Sequence, residues 1–471
     1  MRLAFTSLAL LACCSSPATP DQPVLLAHAQ VDPWLQPLLD GQFVHGLVIG
    51  MVDEHGSVVY GYGSVGDTGI APAGDTIFPI GSVSKTFTGL LLASQVEAGQ
   101  LALDTPVQQL LPAGVTVPTY NGTQITLEDL TTHTSGLPDG PPASYQPSDP
   151  ANYWADFSVA DLYAMLASTP LASAPGTQFV YSNIGEGLLG LALSLQAGSS
   201  WNDDVQRAIA EPLALGDTTN VLTPAQALRR APGYDGDLAP AEPWTFTEAT
   251  AGAGSLRSTA NDLLAYAAAQ AGITPAPTDA LGAAMARSQV PLRATSFAGY
   301  QIGYNWIVGS DGSVVWHNGG VGDGLAFVGF DPKAHVGVVV LTDTAALGVS
   351  TPIFSDLPTS IGLLVLAWMK DASDVPPAMS TLLPATVTVD SAQLQSYAGM
   401  YDVGGAPQPL AISVQDGRLE ASAPWLFWYP VGLYPTSATT FLGRSLAVTA
   451  TFGTTTVTLS VGGTSVTGTK Q

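Results

Sequence analysis

Phe78-Pro79-Ile80-Gly81-Ser82-Val83-Ser84-Lys85 runs directly into a helical pattern that continues to Ala98, with Phe87, Leu90, Leu91 and Val96 at core-facing spacing. Gly99 follows and marks the end of that helix. Ser82 and Lys85 stand three residues apart, so on a helix they share a face and the amine can reach the hydroxyl. A serine hydroxyl is a poor nucleophile until an adjacent base activates it. Partial desolvation and neighbouring cations lower a lysine enough to serve as that base. The helix N-terminus adds positive potential where an oxyanion would form. Taken alone, the tetrapeptide describes an N-cap serine and a surface lysine equally well. Ser84 does not replace Ser82, because it lies beside Lys85 in sequence and points to a different helix face.

Strand patterns flank this helix at long range. Val44 to Asp53, the turn Glu54-His55-Gly56 and the run Ser57 to Tyr62 read as a β-hairpin. Strand patterns return at Ser313 to Trp316, Leu325 to Phe330 and Val336 to Leu341, while residues 100 to 290 alternate short helices with Pro- and Gly-rich loops. Strands at both ends with helices between predict an α/β (α+β) fold: one antiparallel sheet, flanked by helices, with a mostly helical inserted region. Ile361 to Met369 reads as a buried helix. The Asp-, Pro- and Ser-rich stretch around residues 373–386 reads as a linker. Residues 387–471, dense in Thr, Val and Gly, read as a small all-β barrel or sandwich without obvious catalytic residues. The expected hydrolase domain is 25–372.

Composition limits the function classes. The 471 residues carry 46% hydrophobic and 11% charged residues, enough for a large core and unlike a disordered chain. The formal net charge of −24 repels phosphate backbones, which excludes nucleic acid as a natural partner. Met1-Arg2 followed by an apolar run to Ala12 resembles a signal segment (residues 1–20), too short to span a bilayer. Leu10-Leu11-Ala12-Cys13 also resembles a lipobox. The chain is therefore expected to be exported: periplasmic or membrane-anchored through a lipidated Cys13, or simply secreted. Cys13 and Cys14 are its only cysteines, so no disulfide staples the body of the chain. The six histidines are scattered and no H-E-x-x-H occurs, so neither a metal nor a cofactor is expected. No G-x-S-x-G occurs either, which removes the main feature of a nucleophile-elbow hydrolase.

Two further motifs change the weight of Ser82 and Lys85. Tyr181-Ser182-Asn183 opens the helical run Ile184 to Leu195 and offers a phenol and an amide. A buried tyrosine beside an N-cap asparagine would leave the same trace. His317-Asn318-Gly319-Gly320 is expected at the end of the strand Ser313 to Trp316, where two glycines permit close backbone approach by a substrate lying along a strand edge. S-x-x-K, then Y-x-N, then a K-T-G relative, in this chain order, resembles the serine β-lactamase and penicillin-binding-protein family. The tyrosine of the second element resembles the class C-like branch, with its β-lactamases, DD-peptidases and esterases. Thr132-His133-Thr134-Ser135-Gly136-Leu137-Pro138 and Ala253-Gly254-Ser255-Leu256 also resemble segments of that branch.

The resemblance implies that Ser82 is acylated and that Lys85 and Tyr181 share general-base and general-acid duty. It implies that Asn183 orients Lys85 and binds a substrate amide, with His317, Gly319 and Gly320 also on the substrate. The backbone N–H groups of Ser82 and Gly320 would form an oxyanion hole, and His133 would be structural. His317 stands where the family usually has lysine. A histidine there is a weaker partner for a carboxylate, and its charge is expected to switch near neutral pH, releasing carboxylate substrates as it deprotonates. The expected activity is acyl transfer from D-alanyl peptides or β-lactams. A carboxylesterase on the same scaffold, or a sensor acylated by penicillin without turnover, are the alternatives.

Overall fold

The computed structural model describes residues 25–142, 144–349, 356–427, 430–461 and 464–471. The expected signal segment and Cys13 lie outside them. The first hairpin forms from Gly46–Asp53 and Gly56–Gly63, with Val52 opposite Ser57. On its other edge Gly46–Asp53 pairs antiparallel with Val336–Thr342, so the two ends of this domain meet in one sheet. From there the sheet continues through Gly324–Asp331, Val315–Val321, Ile307–Gly309, Tyr300–Ile302 and Arg293–Ala294, giving eight antiparallel strands.

The central strands are buried on both faces, and their alternation sorts side chains into two cores. Leu47, Ile49, Met51, Val338 and Val340 face the helices His28–Asp40 and Leu357–Lys370. Val48, Val52, Val339 and Leu341 face Ser84–Glu97 and Ala260–Gln270. Each aliphatic side chain so buried contributes about 1.5–3 kcal/mol, and the period of two dictates which layer receives it. The helix Ser84–Glu97 runs through the middle of the helical region, with every residue from Ser84 to Ala93 buried. It stops at Ala98, and Gly99 follows in the left-handed conformation (φ 67°).

Residues 373–386 differ from a free linker. They include a short helix, Met379–Leu382, whose buried Met379 and Leu382 join the core of the first helix. Trp34 donates its indole N–H to the Pro377 carbonyl at 2.9 Å. Apolar residues thus dock a stretch whose composition suggested exposure. The C-terminal β region is a closed eight-stranded antiparallel barrel running from Gly399–Val403 to Thr464–Lys470. Closure removes the free edges that a sandwich would leave. Tyr397, from the helix Ser391–Tyr397, stacks on Phe452 at 4.4 Å within its core. Arg444 holds the barrel to the first domain: it donates to the carbonyls of Gly41 and Gln42 and sits over the rings of Phe43 and Tyr434.

Candidate active site

Ser82 lies in the 3-10 turn Gly81–Val83, two residues before the α-helix begins, rather than on the helix itself. Its side chain remains partly accessible, whereas Lys85 is fully buried. The ammonium of Lys85 has three acceptors: Ser82 Oγ at 2.9 Å, Asn183 Oδ1 at 2.7 Å and the Ala253 carbonyl at 2.5 Å. Two of these are carbonyl oxygens and can only accept. Once Lys85 is neutral, its two remaining hydrogens satisfy those carbonyls and its lone pair faces the one partner able to donate, the Ser82 hydroxyl. Burial pushes Lys85 down to about 8, opposed by the carboxylates of Glu186 and Asp139. The lysine is thereby matched to base duty near neutral pH.

Tyr181 moves the opposite way. Burial raises its phenol well above the ordinary value, assisted by Asp139 and Glu186, while a hydrogen bond with Ser82 pulls back. The phenol therefore keeps its proton in the resting site. The Lys85 amine lies 4.9 Å from the centre of its ring. Ser182 caps the helix Asn183–Ala197 by accepting from the Gly185 N–H at 2.9 Å, so the cap is Ser182 and Asn183 is the first helical residue. Capping by Ser182 leaves the Asn183 side chain free to reach Lys85.

His317 to Gly320 lie inside the strand Val315–Val321, which runs past the expected end at Trp316. Its neighbour Ile307–Gly309 pairs only with Val315 and Trp316, so among the described residues the edge from His317 onward has no strand partner on that side. A Cβ on Gly319 would stand 1.9 Å from the Ile80 carbonyl oxygen and 2.9 Å from the Ser82 nitrogen. One on Gly81, whose φ is +47°, would stand 2.8 Å from the Gly320 nitrogen. Only glycines let the serine turn and the strand meet this closely, and the junction brings the Ser82 and Gly320 amides together. Gly320 itself is exposed.

The expected charge switch at His317 is overturned. Its ring is 2% exposed, and burial beside the Lys85 charge lowers it to about 3, with Nδ1 held 2.5 Å from the Asn318 carbonyl. The imidazole is neutral from pH 5 to 8, because desolvation outweighs the hydrogen bond that favours its charged form. His133 is nearer the chemistry than its reading as a structural loop residue suggested. It is buried and held neutral by burial, packs 4.3 Å from the Tyr181 ring, and accepts from the Ser182 N–H at 3.3 Å.

Two carboxylates escaped the sequence reading. Glu186 is fully buried, accepts from Asn305 Nδ2 at 2.9 Å, and is pushed up to about 8 by burial, with Lys85 opposing. A single charged residue inside the apolar run Ile184 to Leu195 was the available signal. Asp139 directly follows the Thr132–Pro138 segment. Backbone bonds from Gly176 to Thr134 and from Val180 to His133 lay that segment alongside the approach to Tyr181. Asp139 Oδ1 thus accepts from Asn183 Nδ2 at 2.9 Å. Among the described residues no group of acidic, histidine or cysteine side chains is arranged to hold a metal ion.

A buried lysine touching a serine, a protonated tyrosine and the glycine-bearing end of a sheet strand together define a serine acyl-transfer scaffold. The Beta-lactamase family model matches residues 31–351, and the chain belongs to that family. It is 31% identical over 237 residues to the D-alanyl-D-alanine-carboxypeptidase/endopeptidase AmpH of Escherichia coli, covering 50% of this chain and 60% of that protein. It thus spans less than two thirds of AmpH. Penicillin-binding protein 4 of Amycolatopsis lactamdurans is 30% identical over 304 residues, covering 62% of this chain and 77% of that protein. Among solved structures, a β-lactamase/D-alanine carboxypeptidase from Yersinia pestis superposes with a TM-score of 0.60 at 22% identity, over 72% of this chain and 97% of its own. The octameric penicillin-binding protein homologue from Pyrococcus abyssi gives 0.60 at 21% identity and covers 92% of this chain and 98% of its own. These last two likenesses speak for the fold.

Proposed function

We propose that this chain is a serine hydrolase working through an acyl-enzyme on Ser82, with D-alanyl peptides of peptidoglycan and β-lactams as its substrate class. The observation that carries the reading is Lys85, fully buried, lowered to about 8, with its lone pair directed at Ser82 when neutral. In this reading neutral Lys85 takes the Ser82 proton as Oγ attacks the substrate carbonyl. The oxyanion sits between the amides of Ser82 and Gly320, a pair in which each donor is worth about 10²–10³ in turnover. Tyr181 gives its proton to the leaving nitrogen and recovers one from the Lys85 ammonium. Water then attacks the ester by the reverse path. Asn183 holds Lys85, and the edge from His317 to Gly320 receives the substrate backbone. The likeness to AmpH, a D-alanyl-D-alanine-carboxypeptidase/endopeptidase, supports a peptide substrate.

A carboxylesterase is the second reading, favoured by one observation: the neutral His317 supplies no charge for the carboxylate that a β-lactam or a peptide C-terminus carries. The test is incubation with benzylpenicillin, a D-Ala-D-Ala peptide and a short nitrophenyl ester, followed by mass spectrometry. A Ser82 adduct with product release is expected, and Ser82→Ala should lose it. An adduct elsewhere, or none with all three, overturns the mechanism. A penicillin adduct that never turns over would make the chain a sensor. Export belongs to the same reading, and protease accessibility in intact cells checks it.

A further inference from the structure

Resting on that reading of the site, we propose that the acyl side of the cleft recognises a cationic ammonium group on the substrate, with Asp139 as the specificity-determining residue. Asp139 is exposed, yet it is fixed at the site: its Oδ1 accepts from both the side-chain and the backbone N–H of Asn183, at 2.9 and 3.2 Å. Its backbone carbonyl accepts from the Asn183 and Ile184 amides at 3.1 and 3.3 Å. These bonds leave Oδ2 to solvent or substrate. An exposed carboxylate held in place beside the Asn183 amide is the ordinary complement of an ammonium ion.

The surrounding wall has the same chemistry. The Asp139 charge reaches Tyr153, Tyr181 and Lys85. Tyr153 is half-buried and meets the half-buried Trp244 edge-on, ring centres 5.4 Å apart. Trp244 closes against Gly322, two residues beyond Gly320, where an added Cβ would stand 2.2 Å from its indole nitrogen. A carboxylate and two aromatic rings therefore lie between the Asn183 helix and the end of the Gly320 strand. Aromatic faces attract ammonium ions and offer nothing to carboxylates. On the opposite account, His317 is uncharged, and Arg230 and Arg257 are occupied by Asp323 and the Trp244 carbonyl. Lys85, the cation nearest the chemistry, spends its donors on Ser82, Asn183 and Ala253, so among the described residues no cation is bonded to the Asp139 carboxylate.

The experiment compares kcat/KM for the p-nitrophenyl esters of D-alanine and of N-acetyl-D-alanine at pH 6.5, in the full chain and in Asp139→Asn. The asparagine keeps the carbonyl that faces Asn183 and removes the charge. The free-amine to acetylated ratio should fall about tenfold in the variant, the scale of one close charge pair at a solvated rim; the lost charge beside Lys85 and Tyr181 acts on both esters alike and cancels in the ratio. In wild type the same ratio should fall as salt is raised. An unchanged ratio overturns the inference while leaving the Ser82 mechanism intact. Equal loss on both esters assigns Asp139 a purely structural role and also overturns it. If wild type turns over neither ester, the acyl-transfer reading fails and this inference fails with it.

Discussion

Glu186→Gln offers the sharpest test of how the lysine is tuned. Glu186 and Lys85 are both fully buried, and burial drives them towards each other, the acid up to about 8 and the amine down to about 8. At pH 7 an amine titrating at about 8 is neutral in about one molecule in ten, against about one in 3,000 at its ordinary value. Glu186 opposes this by favouring the ammonium. Removing an opposite charge within about 4–6 Å moves a titration by about 1–3 pH units. Because Glu186 is itself only partly ionised where Lys85 titrates, the lower end applies. The acid limb of kcat/KM should therefore move down by at most about one pH unit, with the gain appearing near pH 8, where Glu186 carries charge, and little change at pH 6.5. The assay is kcat/KM for a neutral short ester from pH 5.5 to 9.5, with Ser82 labelling to count active sites. Glutamine can still accept from Asn305, so folding should survive. A limb that stays in place or moves up would falsify the assignment of Lys85 as the base.

The same pair gives a stability prediction. The unfolded chain releases the Glu186 proton first, so wild-type stability should fall as pH rises from about 4.5 to about 8. Denaturation of Glu186→Gln should show a shallower fall. His317→Gln should leave the pH profile between 5 and 8 unchanged, since the imidazole is already neutral; loss of a limb near pH 6.5 would restore the charge switch. Gly319→Ala forces a carbon to within 1.9 Å of the Ile80 carbonyl oxygen and displaces the Ser82 turn. Turnover should drop about 10²–10³-fold with the barrel's melting unaffected, and retained activity would remove the strand from the oxyanion site. Arg444→Ala gives up two hydrogen bonds and two ring contacts. Urea unfolding should show a loss of about 2–4 kcal/mol, and an unchanged midpoint would place the docking energy elsewhere.

Local chemistry wrote much of this structure into the sequence. The hairpin around Glu54-His55-Gly56, the helix ending at Gly99 and the buried helix over Ile361 to Met369 follow from periodicity and turn residues, and each is present. What was misjudged depends on tertiary context. Trp316 looked like a strand end because glycines follow, but pairing with Gly324–Asp331 carries the strand on to Val321. Residues 373–386 looked free because prolines and small polar residues punctuate them, yet Met379 and Leu382 find an apolar partner in the first helix. His317 looked titratable because sequence does not show desolvation. Asp139 and Glu186 lie on segments already singled out, but their relevance comes only from the distance to Asn183 and Lys85.

The charge pattern around Ser82 also orders the proton transfers. A site in which lysine and tyrosine were both near neutral would leave the base ambiguous. Here burial both lowers the cationic acid, Lys85, and raises the neutral acid, Tyr181. Both shifts favour uncharged forms: the phenol stays intact, and the reactive state is the roughly one molecule in ten whose amine is free at pH 7. Attack by Ser82 then creates an ammonium in the same enclosed space, and that new charge lowers the phenol at the moment the leaving group needs a proton. Asp139 and Glu186 act against this second step by stabilising the ammonium and disfavouring the phenolate. Neutralising either carboxylate should therefore speed leaving-group protonation as well as free the amine. Substrates with poor leaving groups, such as amides, should gain more from Glu186→Gln than activated esters do. Equal gains on amide and ester would mean that the phenol takes no part in expelling the leaving group.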